Sequence, residues 1–249
     1  MSGHSKWATT KHRKAAVDKA RAKLFAKLIR QVEVAAREGG ADVETNPTLR
    51  TMFDKARASS VPLDTIERAI KRGTGELEGV RYEAVSYEGY GPAGVAIMVE
   101  CLTDNRNRTG AEVRNLFTRN GGSTAEPGSV AWQFSRKGVL EIPRDVDEDR
   151  IMEVTLDAGA ENLSDEGETW ELVCGPSDLA AARHALDEAG IAVVSDELAM
   201  VPNTTVPLDD ASDARKVLRL IDALDEHDDV QNVWSNIDIS DEVLAAVEE

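Results

Sequence analysis

Positive charge gathers where the chain begins. Ser5-Lys6-Trp7 is followed by Lys11-His12-Arg13-Lys14, then by Lys19, Arg21, Lys23, Lys27 and Arg30. Lys and Arg side chains neutralise phosphates and release condensed counterions, an affinity that requires no reading of bases. Trp7 and His12 can stack on a base or pack on a sugar. A run of cations is otherwise a solvated helix face. Such density in a chain of net charge −17 favours the binding role. Nothing in the segment resembles a sequence-reading module such as a zinc finger or a zipper.

A second group is Thr103-Asp104-Asn105-Arg106-Asn107-Arg108-Thr109, between an apolar run and a helix start. Free backbone amides at such a junction favour anions. Arg106 and Arg108, flanked by Asn105 and Asn107, can grip phosphate or a base edge. The same residues also make a well-capped turn, with Asn105 or Asn107 as cap and Asp104 paired with an Arg. Both readings stand on the sequence.

Other patterns carry no chemistry. Gly89-Tyr90-Gly91-Pro92-Ala93-Gly94 matches G-x-G-x-x-G, but a strand-like run follows it and Pro92 lacks an amide, so it reads as a turn. Gly73-Thr74-Gly75 is a helix stop. His4, His12, His184 and His227 show no ligand spacing. Adjacent acids such as Asp165-Glu166 and Asp228-Asp229 read as solvated turns rather than an acid/base pair. Cys101 and Cys174 sit in apolar runs and read as reduced core residues. No catalytic set emerges, and the expectation is no enzyme, no cofactor, no metal and no small-molecule substrate.

Helices must position the basic head. Phe25, Leu28, Ile29 and Val32 form one apolar stripe, ended by Gly39-Gly40. Asn46 caps the next helix with Pro47 at its first position, and Leu49, Met52, Phe53 and Ala56 face inward. A third follows Pro62, with Asp64 and Glu67 spaced as a capping box. Beyond residue 80 the period changes. Val95–Leu102 suits a buried strand, 110–120 a helix, and 130–135 a strand. Then strand 139–142, helix 147–158, strands 160–164 and 169–174, helix 177–189 and strand 191–201 make β-α-β-β-α-β, the ferredoxin-like order. A strand near 204–208, a helix through Ala214, Val217, Leu218, Ile221 and Leu224, and a strand at 232–238 complete the chain.

The expected fold is α+β and multidomain: an all-helical domain over 1–80 followed by two ferredoxin-like α/β domains, one discontinuous over 81–137 plus 204–249 and an acidic one over 138–203 inserted in it. Charge follows these divisions. Residues 1–40 carry ten basic and three acidic side chains, whereas 81–249 carry 13 and 36. A basic head on an acidic body fits a polyanionic partner met at one end. The longest apolar runs fall well short of the roughly 20 residues that span a bilayer. The basic N-terminus lacks the apolar stretch of a secretory signal. A cytoplasmic protein without membrane association is expected.

The chain resembles the YebC family of probable transcriptional regulators. The resemblance rests on Gly3-His4-Ser5-Lys6-Trp7, Lys11-His12-Arg13-Lys14, Lys27-Leu28-Ile29-Arg30, Asn46-Pro47, Ile66 through Gly75, Tyr87-Glu88-Gly89-Tyr90-Gly91-Pro92, Glu100 through Thr109, and Asp228-Asp229-Val230-Gln231-Asn232-Val233. It implies a helical N-terminal domain with two α/β domains, the bacterial cytoplasm and no catalysis. It also implies one of two roles: a DNA-binding transcriptional regulator, or a ribosome-associated translation factor that binds ribosomal RNA and relieves stalling, for example at consecutive prolines.

Overall fold

A computed structural model describes residues 17–248. Three helices open it: α1 (Val17–Gly39), α2 (Pro47–Ala58) and α3 (Leu63–Gly73). Leu28, Val32, Ala35 and Ala36 on α1 are buried against Leu49, Ala56, Ile66 and Ala69. Asn46 binds the first two helices together. Its Oδ1 caps α2 by accepting from the Leu49 amide at 3.0 Å, while Nδ2 donates to the carbonyls of Ala35 and Gly40. The expected capping box does not form: Pro62 takes the cap position of α3 without a side-chain bond, and Asp64 lies inside the first turn. The buried Glu33 ties α1 to α3 by accepting from Arg37 at 3.3 Å and Arg72 at 2.9 Å. Gly73 comes so close to the Glu33 carbonyl and the Ala36 side chain that a Cβ there would collide with both.

The body contains two four-stranded sheets. The first has the order β3-β1-β2-β9, from β1 (Glu83–Tyr90), β2 (Ala96–Thr103), β3 (Ser123–Ala125) and β9 (Val230–Ser235), with every pair antiparallel. Between β2 and β3 runs α4 (Arg106–Arg119). The second has the order β5-β6-β4-β7, from β4 (Phe134–Pro143), β5 (Ala160–Asp165), β6 (Thr169–Cys174) and β7 (Ser195–Pro202), again antiparallel. Its helices are α5 (Glu148–Thr155) and α6 (Leu179–Glu188). The element order here is the β-α-β-β-α-β expected from sequence. All four strands fall between β3 and β9 along the chain. The remainder comprises β8 (Val206–Pro207), α7 (Ala211–Asp225), β10 (Ile237–Asp238) and α8 (Asp241–Glu248), with β8 and β10 parallel.

Strand β2 is apolar from Ala96 to Val99 and again at Cys101 and Leu102, broken only by the half-buried Glu100, because both its faces are covered. Ile97, Val99 and Cys101 pack under Val113 and Phe117 of α4 and Leu220 and Leu224 of α7. On the other face Ala96 and Met98 meet Phe134, Ala199 and Trp234, where the two sheets touch. The first sheet is not ferredoxin-like, contrary to expectation, because β1 and β2 form a hairpin before α4, and several boundaries also differ from expectation. The strand at 130–135 is instead a 3-10 turn over Ala131–Gln133, and β4 runs unbroken from Phe134 through the expected strand at 139–142. Strand β1 is not among the expected elements, although Val85 and Tyr87 alternate with Ser86 and Glu88 along it.

Candidate functional site

Strand β2 ends at Thr103 and α4 begins three residues later, so the stretch expected as a loop is mostly the first turn of a helix. Asn105 is its cap, with Oδ1 accepting from the Arg108 amide at 3.1 Å. Thr103 Oγ1 accepts from the Asn105 amide at 2.9 Å and lies 2.7 Å from Thr109 Oγ1. Strand β9 starts beside this turn, and the Leu102 amide donates to the Asp229 carbonyl at 2.8 Å. The segment 226–229 thereby comes against the start of α4.

Asp229 is the centre of the resulting cluster. Its side chain is 5% exposed. Its carboxylate accepts from Arg108 Nη2 at 2.8 Å, Thr109 Oγ1 at 2.7 Å and Arg30 Nη1 at 3.1 Å. Burial alone pushes this carboxyl up. The hydrogen bonds from Arg108 and Thr109, with the charges of Arg108 and Arg30, outweigh burial and hold it below its ordinary value. The sequence suggests a solvated Asp228-Asp229 turn, and the structure corrects half of it. Asp228 is exposed, but Asp229 is buried because pairing of β9 with β2 turns it inward.

His227 fixes the far side. The Asp229 amide donates to its Nδ1 at 3.1 Å, so Nε2 carries the proton of the neutral ring and meets Glu112 Oε2 at 2.8 Å. Glu112, His227 and Asp229 bring three potential metal-ligand atoms within 4.8 Å of one another. Nδ1 and both Asp229 oxygens are committed to hydrogen bonds, and two guanidinium groups already neutralise the carboxylate. The donor set fits a closed polar network better than a cation site.

Helix α1 docks here through one stripe. Lys23, Lys27 and Arg30 follow at i, i+4 and i+7. Lys27 Nζ reaches Asp225 Oδ1 at 3.0 Å and the Gln231 carbonyl at 3.4 Å. Arg30 Nη1 also donates to the Asp228 carbonyl at 2.6 Å, and its guanidinium lies 5.2 Å from the centre of the Tyr82 ring. Burial, then the charge of Lys27, lowers the Lys23 pKa, opposed by Asp225, Glu226 and Asp228. Arg30, Tyr82, Arg108, Glu112 and the 226–229 turn line an open cleft of about 560 Å³.

The expected contact residues thus divide. Lys6, Trp7, Lys11, His12, Arg13 and Lys14 lie outside the described residues; Lys19 and Arg21 lie in the first two turns of α1. Lys27, Arg30 and Arg108 meet carboxylates of the body. Arg106 and Asn107 are exposed on the first turn of α4, and Arg106 forms no ion pair among the described residues. The sequence missed Asp225, Asp229, Glu112 and His227, whose spacing gives no sign that they meet. Both cysteines are free and buried, as expected, with the Cys101 thiol pushed by burial up to about 12. No helix among the described residues is long and apolar enough to cross a membrane.

Residues 5–76 match the family model described as the TACO1/YebC protein N-terminal domain. Residues 82–237 match the one described as the TACO1/YebC second and third domain. A probable transcriptional regulatory protein of Kineococcus radiotolerans is 58% identical, with all of both chains covered. Another so named, from Acidothermus cellulolyticus, is 59% identical over 99% of this chain and all of its own length. The crystal structure of a conserved hypothetical protein from Aquifex aeolicus aligns with a TM-score of 0.84 and 44% identity, covering 93% of this chain and 96% of that one. The chain belongs to the TACO1/YebC family.

Proposed function

We propose that this protein is a non-enzymatic, DNA-binding regulator of gene expression acting in the cytoplasm, with its basic head as the primary contact. The observation that carries this reading is the segregation of charge: ten basic against three acidic residues in 1–40, and 13 against 36 in 81–249. A polyanion is attracted to one end and repelled by the other, which orients binding. The names of the bacterial relatives, probable transcriptional regulatory proteins, agree with it. The titratable groups gathered around Asp229 are tied to one another, which supports a structural network over a catalytic one. We also read 1–80, 81–137 plus 204–249, and 138–203 as three domains, the last inserted in the second.

A translational role on ribosomal RNA is the second reading. It draws on the sequence of the head, in which no helix-turn-helix pair with a polar recognition helix stands out. Phosphate-and-shape recognition serves folded RNA equally well. The head is tested by changing Lys11, Arg13 and Lys14 together to Glu in the full chain. Binding to duplex DNA, followed by fluorescence anisotropy across a salt series, is expected to be lost. Unchanged affinity and salt dependence would remove the head from the account.

A further inference from the structure

Among the exposed side chains of α4 only Glu112 is acidic, against the trend of the body around it. Thr109, Val113 and Phe117 face the sheet and are buried. On the opposite side Asn107, Ala111, Arg114, Asn115 and Thr118 follow at i, i+4, i+7, i+8 and i+11, and all are exposed. Arg119 closes the helix beside this side and is exposed; Arg106, exposed as the first residue of the helix, is in phase with the buried Thr109, Val113 and Phe117. The one acid of the helix, Glu112, is turned to the flank, where it meets His227.

The ordinary surface helix of an acidic protein carries i, i+3 or i, i+4 ion pairs. Such pairs occur on α5, α6 and α7, where Arg150 meets Glu153, Arg183 meets Asp187 and Lys216 meets Asp213, and on α4 itself only between Arg108 and Glu112. Arg106, Arg114 and Arg119 meet no carboxylate among the described residues. The other cations of the body without an ion pair among the described residues, Arg81, Arg136, Arg215 and Arg219, lie on other elements. Three unpaired arginines on one helix, interleaved with amides and a hydroxyl, form a set suited to phosphates and base edges.

We infer that the outward face of α4 is a second nucleic-acid contact, made on duplex DNA. This rests on the DNA-binding reading above and adds to it residues outside the basic head. A helix about 10–12 Å across matches the B-DNA major groove, about 12 Å wide, whereas the major groove of A-form RNA is too narrow for side chains to read. The 14 residues of α4 extend over about 21 Å. Arg114 and Arg119 neutralise phosphates along that length, Arg106 reaches round from the N-terminal end, and Asn107, Asn115 and Thr118 supply donors and acceptors between them.

The test uses the full chain, a random-sequence DNA duplex longer than two helical turns, and anisotropy across a salt series. With Arg106, Arg114 and Arg119 all changed to Ala, binding weakens. The slope of log affinity on log salt falls by about 0.9 for each phosphate no longer neutralised, hence by about 2 to 3. Ala111→Lys, which adds a cation to the same face, steepens the slope by about 0.9. Changing Arg150 and Arg183 to Ala leaves the slope unchanged, with folding of every variant checked by its urea midpoint. An unaltered slope in the triple variant and in Ala111→Lys, beside a wild type that binds, overturns the inference about α4 and leaves the DNA reading standing. A wild type that does not bind duplex DNA overturns the DNA reading itself. Preferential binding of an A-form RNA duplex, abolished in the triple variant, overturns the commitment to DNA.

Discussion

Arg30 on α1 and Asp229 at the foot of β9 are 199 positions apart in sequence and 3.1 Å apart in space. The same carboxylate also holds Arg108 and Thr109 on the first turn of α4. The helical head and the start of α4 therefore share one charge, and displacement of either guanidinium leaves the other as its partner. Head, α4 and the 226–229 turn are joined at a single buried side chain.

Removal of that side chain has a large expected effect. Asp229→Ala leaves the Thr109 hydroxyl without its carboxylate acceptor, Arg30 without its counter-charge and Arg108 with Asp104 and Glu112 only. It should destabilise the protein by on the order of 2 kcal/mol. The exposed neighbour Asp228 supplies a carbonyl to Arg30 but no buried carboxylate. Asp228→Ala should therefore stay within about 0.5 kcal/mol of wild type. Urea denaturation of the two variants side by side checks the contrast, and equal losses would contradict it.

Acid should weaken the fold partly through Glu88. Burial raises this carboxyl, but amides of Gly128, Val130 and Ala131 donate to it at 2.7, 2.6 and 2.8 Å and bring it below its ordinary value of 4.5. A carboxyl lower in the folded than in the unfolded state adds stability that is complete above the unfolded value and disappears as pH falls through the folded one. Wild type should lose this part below about pH 4.5. Glu88→Gln, less stable at neutral pH, should lose less between neutral pH and pH 3. Urea midpoints at the two pH values measure the difference.

Asn46 is expected to matter to the head alone. Asn46→Ala removes the cap of α2 and both bonds to the end of α1. A loss of about 2 kcal/mol follows. Hydrogen exchange should show the increased opening in α1 and α2 and leave β4 to β7 protected. Uniform loosening of the whole chain would contradict an independent helical core.

Local signals made much of this fold legible. The cap and proline at Asn46-Pro47, the stripe through Leu28 and Val32, and the β-α-β-β-α-β order all depend on neighbours in sequence. The features that differ from expectation depend on distant contacts. Arg136-Lys137-Gly138 reads as a break, yet β4 runs through it. Glycine is needed there because Cys174 Sγ and Leu179 occupy the space of a Cβ. Asp229 has the sequence context of a solvated turn, and only the pairing of β9 with β2 buries it. The arginines of the 103–109 stretch are visible as a group. Their separation into Arg108, held by Asp104 and Asp229, and Arg106, without an ion pair among the described residues, requires the end of the chain to be in place.

Action on DNA can be observed in the cell. Ultraviolet cross-linking of the tagged protein in cells, with sequencing of both the DNA and the RNA recovered, tests it most directly. The account predicts discrete promoter DNA with little ribosomal RNA, and loss of that DNA when Lys11, Arg13 and Lys14 are changed to Glu. Dominant ribosomal RNA fragments would contradict it and make the protein a ribosome-associated factor.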